Sequence, residues 1–263
     1  MKCNIHAKAH TASCFYHLTD VMWTVIQTGL LYDWILNSTL QNVVSANSAI
    51  QFDYIGFFQE NALVDRWFGE KTKPSRILLD ERRHTLSQVT NLRVRMLGIW
   101  NVNLETIPKD FRGRKYNFQN DMHQLENLRL ATTFISNESA YVLRVREDVG
   151  WYFPFILPKD PIQITFKKCG EGVFRRVTHH PPLTDKMWYG PREAVLKMHT
   201  MYLDAFMHER VANTELALTF ATRNLPTTQT HIGASDARIR ADGTLCWKRM
   251  YACGANMSQK MFC

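Results

Sequence analysis

The 263-residue chain contains no CxxC pair. Its six cysteines, Cys3, Cys14, Cys169, Cys246, Cys253 and Cys263, are therefore not spaced as a zinc ribbon. Three of them fall at the C-terminal end, which leaves one or more disulfides there open. No block of five or more like charges occurs, so a dedicated basic tail is absent. No internal repeat or low-complexity segment is present, which excludes a solenoid. Glycine and proline are scarce, 12 and 9 residues, and no long disordered region is expected. The opening MKCNIHAKAH lacks the apolar centre of a signal peptide. The most apolar stretch, VMWTVIQTGLLYDWIL (21–36), is interrupted by Gln27 and Asp33 and reads as a buried amphipathic helix, not a membrane span. A cytoplasmic protein is expected, or a Golgi or secretory one if an anchor lies outside these residues.

What is present is globular. Hydrophobic residues make up 45% and charged residues 21%, and the length suits one large α/β domain or two small ones. The formal charge is +8 and the pI about 9.2. Such a balance suits nucleic acid, an anionic membrane surface or a phosphate-bearing substrate. The charge is dispersed, however, with its densest groups at Arg82-Arg83, Arg112 to Lys115, Lys167-Lys168 and Arg175-Arg176. Dispersed charge is the mark of a solvated face, so nucleic acid is not the expected partner. Sequons at Asn37, Asn137 and Asn256 are close to what chance gives and carry little weight for a secretory route.

The order of elements indicates the fold class. CFYHL (14–18) reads as a strand, followed by the cap pair Thr19-Asp20 and the apolar helix to about Leu36. NVVSAN (42–47) and FDYIGFF (52–58) read as strands. A charged helix is predicted over 76–97, a loop over 105–118 and a helix over 121–135. YVLRVR (141–146) then alternates as a strand does. Strand and helix alternating in this way predict a single α/β domain over 1–263, with a mostly parallel central sheet flanked by helices. Beyond it, 151–161 carries three prolines and reads as extended. PIQITF (161–166) reads as a short strand and 167–185 as irregular. Helices are predicted over 190–208, opened by Gly190-Pro191, and over 213–225, stopped by Pro226. Residues 236–251 read as a hairpin around Ala241-Asp242-Gly243.

The stretch YVLRVREDVGW (141–151) carries the chemistry. Arg144 and Arg146 are two apart and share a face of the strand. The strand then ends in Glu147 and Asp148. Ligands of open α/β sheets bind beyond the carboxyl ends of the strands. A carboxylate there holds a hard divalent metal that bridges nucleotide phosphates, and the arginines add positive charge or fix the carboxylates. The plainer alternative is a charged edge strand with a capped end.

AYVLRVREDVGWYFP (140–154) resembles the strand and proline-containing loop of GT-A glycosyltransferases. QLENLRLATTFISNESA is similar to the helix that precedes that strand. TDKMWYGPREAVLKMHTMY (184–202) resembles their later D-x-[FMW]-x-[YIF]-G motif and its helix. NTELALTFATRNLP (213–226) resembles the helix after that, and TVIQTGLLYDWILNSTLQNVV (24–44) is similar to an opening seen in related chains. The ordered set spans roughly 20–245. It implies a Rossmann-related GT-A fold with a nucleotide-sugar half over about 1–150 and an acceptor half over about 151–263. It also implies transfer of a sugar from a nucleotide diphosphate donor to a hydroxyl on a glycan, protein or lipid. A divalent metal, manganese or magnesium, is implied with Asp148, Glu147 and His231 as ligands. Arg144, Arg146, Tyr189 and Gly190 would lie at the donor. Asp185 and Glu215 would be the catalytic carboxylates. A strict D-x-D is absent, so Asp148 is the principal metal-ligand candidate. A catalytically inactive binding protein of the same fold is the alternative, and a basic nucleic-acid-binding protein the less favoured one.

Overall fold

The computed structural model describes residues 21–30, 33–59, 75–100, 118–147, 149–151, 153–168, 183–208, 214–232, 234–239, 245–248 and 261–262. Its centre is a seven-stranded sheet. In chain order the strands are β1 (Met22–Leu30), β2 (Gln51–Gln59), β3 (Leu92–Ile99), β4 (Ser139–Arg146), β6 (Ile164–Lys167), β7 (Met187–Pro191) and β8 (Thr227–Thr230). The spatial order is β3-β2-β1-β4-β7-β6-β8. β3, β2, β1 and β4 run parallel, β7 is antiparallel to both neighbours, and β6 pairs parallel with β8. A second sheet joins β5 (Val149–Trp151), β9 (Ala234–Ile239), β10 (Leu245–Lys248) and β11 (Met261–Phe262). Five helices flank the main sheet: α1 (Asp33–Thr39), α2 (Ser75–Ser87), α3 (Phe118–Thr132), α4 (Arg192–His208) and α5 (Thr214–Thr222). The mostly parallel α/β architecture expected from the sequence is the architecture found.

Each face of the sheet carries its own core. Ile26, Ile55, Val142, Phe166 and Trp188 pack under α3, α4 and α5. Trp23, Val25, Tyr54, Leu143, Val145 and Tyr189 pack under α1 and α2. Strands buried on both faces read as continuous apolar runs. That explains the first correction. The predicted helix over 21–36 is strand β1 to Leu30, with a helix only from Asp33. A short apolar run does not reveal its period, and β-branched Thr24, Val25, Ile26 and Thr28 favour the pleated form.

The predicted strand over 42–47 is helical, a π turn over Leu40–Val44 followed by a 3-10 turn over Ser45–Asn47. Val43 and Val44 point into the core. Asn47 fixes the turn: its Nδ2 donates to the carbonyls of Val43 and Phe155 at 2.7 and 2.8 Å, and its Oδ1 accepts from Leu157 N at 2.9 Å. The single helix predicted over 76–97 ends at Ser87, and Leu92 begins β3. Pro191 closes β7, and α4 starts one residue later. β9 and β10 pair antiparallel, Leu245 opposite Ile239, as the hairpin reading required. The predicted strand over 14–18 and the C-terminal cysteine pairing lie outside the described residues. No helix among the described residues is long and apolar enough to cross a membrane.

Gly190 holds β7 against β6. A Cβ there would lie 3.0 Å from both Gln163 O and Ile164 Cα. Backbone atoms of a paired strand have little room to retreat. Gly190→Ala is expected to destabilise the fold by about 1–3 kcal/mol, read as a lower midpoint in urea denaturation.

Candidate functional site

In the order β3-β2-β1-β4 the winding reverses between β1 and β4, and the carboxyl ends of two such strands are where doubly wound sheets bind ligands. Gly29, at φ 131°, is the penultimate residue of β1 there, and a Cβ on it would lie 3.2 Å from Glu147 Cβ. Strand β4 then sends alternate side chains to opposite faces. Arg144 and Arg146 go to the face of α3, α4 and α5. Glu147 goes to the face of α1 and α2.

On the first face the residues gather around Asp185, which lies in the bend before β7 and is 1% exposed. Its Oδ2 accepts from Arg146 Nη1 at 2.7 Å, Gln124 Nε2 at 2.9 Å and Thr214 Oγ1 at 3.0 Å. Arg144 donates to its backbone carbonyl and, at 3.2 Å, to Thr28 Oγ1. The Arg144 guanidinium also lies over the Trp188 ring at 4.5 Å. Oδ1 of Asp185 is buried without a hydrogen-bond partner. Burial opposes ionisation of this carboxyl, but Arg146, Lys186 and Arg144 outweigh it and hold the pKa well below the usual carboxylate range.

Two further carboxyls stand in the same field, both in first turns of helices: Asp121 of α3 and Glu215 of α5. Burial first, then the charges of Asp185 and Glu215, push Asp121 up to about 7. Glu215 is raised by burial and by Asp185. The Tyr202 hydroxyl on α4 is buried and unpartnered, and it feels Asp185, Glu215 and Asp121 alike. One ionised carboxylate thus stands beside Asp121, pushed up to about 7, and Glu215, raised above its ordinary range. This arrangement suits proton transfer and the binding of hydroxyl groups.

On the opposite face Glu147, 1% exposed, forms a buried ion pair with Arg82 of α2. Arg82 Nη1 donates to Tyr54 OH at 3.1 Å, and Tyr54 OH donates to Gln27 Oε1 at 2.5 Å. Gln27 Nε2 and Trp151 Nε1 both donate to Thr39 Oγ1, at 3.2 and 3.3 Å. The Arg82 guanidinium covers the Phe58 ring at 4.5 Å.

The structure thus brings Arg144, Arg146, Asp185 and Glu215 together and separates the rest. Glu147 is engaged by Arg82 on the other side of the sheet. Tyr189 is a core residue, its ring 6.3 Å from Trp23 and 5.6 Å from Phe155. Gly190 serves strand packing. His231 is exposed in the coil after β8. Asp148 lies outside the described residues. Among the described residues no three His, Cys, Asp or Glu side chains converge to hold a metal, so these residues do not by themselves compose the expected metal centre. Sequence reasoning missed Asp121, Gln124 and Arg82. The spacing of Asp121 and Gln124, three apart on a helix, puts them on one face and was the available signal. Nothing local marks Arg82, whose partner is 65 residues away.

Compared with protein families and with curated proteins, the chain has no match in either.

His199 supplies a test of this buried environment. Trp188 Nε1 donates to its Nε2 at 3.1 Å, so that nitrogen carries a lone pair. Burial and then Arg144 lower its pKa to about 3. Below about pH 6.5 the unfolded chain takes up a proton that folded His199 refuses, so its contribution to stability falls as pH falls towards 3. Burial lowers the His123 pKa in the same sense. Asp121 acts oppositely: its raised pKa favours the folded state at low pH, a benefit lost as pH rises to about 7. The difference between variant and wild type is therefore the useful readout. His199→Gln keeps an acceptor for Trp188. From pH 7 to pH 5 its stability relative to wild type is expected to improve by about 1–2 kcal/mol, measured by urea denaturation at each pH. A constant difference would contradict the buried neutral histidine.

Proposed function

We propose that the chain is a glycosyltransferase that moves a sugar from a nucleotide diphosphate donor to a hydroxyl of a glycan, protein or lipid acceptor. The observation that carries this reading is that Asp121 and Glu215, from two helices, stand in the electrostatic field of Asp185, which Arg146 ties to the carboxyl end of β4. It is joined by the resemblance of the segments that hold Asp185 and Glu215 to GT-A sequences. The reversal between β1 and β4 supports a nucleotide ligand in the adjoining crevice.

In this reading the Asp185 carboxylate sets the charge of the sugar subsite from beneath it. Arg146 holds Oδ2 in place and adds positive charge towards the leaving diphosphate. Asp121, poised near neutral pH, takes the proton of the acceptor hydroxyl as its oxygen bonds to the sugar carbon. Arg144 is a positioning residue, spent on the Asp185 carbonyl and Thr28. The expected divalent cation rests on Asp148, and no step here depends on it.

The engagement of Glu147 by Arg82 favours a second reading, a binding protein of the same fold without turnover. Both readings expect a thermal shift with nucleotide diphosphate and manganese. Only the first expects release of nucleotide diphosphate from one member of a nucleotide-sugar panel. On the active donor, Asp121→Asn is expected to lower turnover by about 10²–10⁴-fold and to abolish the rise in rate through about pH 7, with donor affinity retained. Unchanged turnover in this variant would remove Asp121 as the base. No release across the panel, with binding intact, would leave the binding-protein reading.

A further inference from the structure

The opposite, amino end of the sheet carries a separate feature. A cleft of about 620 Å³ opens between edge strand β3 and the turn joining α3 to β4. Arg93 and Arg95 of β3 line one side, and Thr133, Phe134, Asn137 and Glu138 line the other. From this cleft we infer a second ligand site, one that binds an anionic group, a phosphate or a carboxylate, between Arg93 and Arg95.

The first argument is Asp53. It is 1% exposed near the amino end of the interior strand β2, an expensive place for a carboxylate. It accepts from Arg93 Nε at 2.7 Å and Arg93 Nη2 at 3.2 Å, and Arg95 Nε lies 3.7 Å away. Both arginine side chains remain open to solvent, 51% and 39% exposed. Charge on an edge strand alone discourages edge-to-edge pairing, but that role does not require a buried carboxylate to hold two guanidiniums side by side. Fixing them in advance reduces the ordering cost of binding.

The second argument is the inventory of groups left over. Arg93 spends Nε and Nη2, which leaves Nη1. Arg95 has its two terminal nitrogens. Asn137 accepts from Arg192 Nη2 through Oδ1 at 2.7 Å, so its NH₂ is what it still offers. Thr133 donates its hydroxyl proton to Leu130 O at 2.7 Å. The unspent groups are mainly donors, the complement of an oxyanion. The one carboxylate at the rim, Glu138, already marks the place: its Oε2 lies 3.2 Å from Arg93 Nη2, and its side chain is 67% exposed. A ligand oxyanion would take over that position as Glu138 turns into solvent. The chain's +8 charge draws such ligands in.

The test is calorimetric titration of the full chain with inorganic phosphate and, separately, with acetate, at constant ionic strength. Saturable binding of at least one is expected. Arg95→Gln should weaken it tenfold or more, and Glu138→Gln should strengthen it severalfold. Binding of phosphate alone would assign a phosphorylated ligand, and comparable binding of acetate a carboxylate. Absence of saturation with both anions, or equal affinity in Arg95→Gln, would overturn the site. If Arg95→Gln failed to fold, Glu138→Gln would decide, since unchanged affinity there would overturn it as well.

Discussion

The carboxylate of Asp185 is the constraint on which one half of the molecule depends. Strand β4 places two guanidiniums, those of Arg144 and Arg146, against the layer formed by α3, α4 and α5. Neither would be tolerated there without a negative partner. Asp185 supplies it twice, through its carboxylate to Arg146 and through its backbone carbonyl to Arg144. The same carboxylate receives Gln124 of α3 and Thr214 at the start of α5. One side chain thus fixes how two helices meet the sheet. Removing it would take a directly bonded carboxylate from Arg146, a larger cost than the net worth of any one of its bonds.

The two-residue period of β4 divides the remaining charge. Arg144 and Arg146 serve one face, and Glu147, the next residue, serves the other. There Arg82 reaches across from α2, and Tyr54, Gln27 and Thr39 extend the contact to Trp151 of the second sheet. Both polar systems sit at the carboxyl ends of parallel strands, and β4 belongs to both. A charge-reversing change at one would be felt through the backbone of the other. The alternation of arginine, valine, arginine and glutamate is therefore a structural necessity before it is anything else.

Much of this was legible in sequence. The alternation of YVLRVR gave β4, Gly190-Pro191 marked the opening of α4, and Pro226 marked the end of α5. The sheet class followed from the order of elements. What failed were segments whose period is hidden: β1, apolar on both faces, and the turn at 42–47, whose two valines are buried from helical geometry. In the site, Asp185 and Glu215 were found through resemblance and Arg144 and Arg146 through chemistry. Their company was not. Asp121 is 64 residues from Asp185 and looks like an ordinary first-turn acid. Glu147 looks like a ligand because its partner, Arg82, sits in a helix whose exposed face is thoroughly charged. Pairing at that separation is a property of the fold, which a single sequence does not display.

The distribution of unpartnered groups adds a last step. Folded proteins leave few buried polar atoms without a hydrogen bond, because each costs about 1–3 kcal/mol. Here Asp185 Oδ1, Tyr202 OH, His199 Nδ1 and both amide atoms of Asn127 are in that condition. They come from α3, α4 and the bend before β7, on the side of the sheet that holds Asp121 and Glu215. On the other face Trp23 Nε1, a neutral donor, is comparable. A chain selected for stability alone would have filled the first group of positions with apolar side chains, as it did at neighbouring Met198 and Leu128. Retaining several unspent polar groups beside mutually repelling carboxyls sacrifices stability in one place. Sacrifice of that kind is expected where a protein handles a polar ligand.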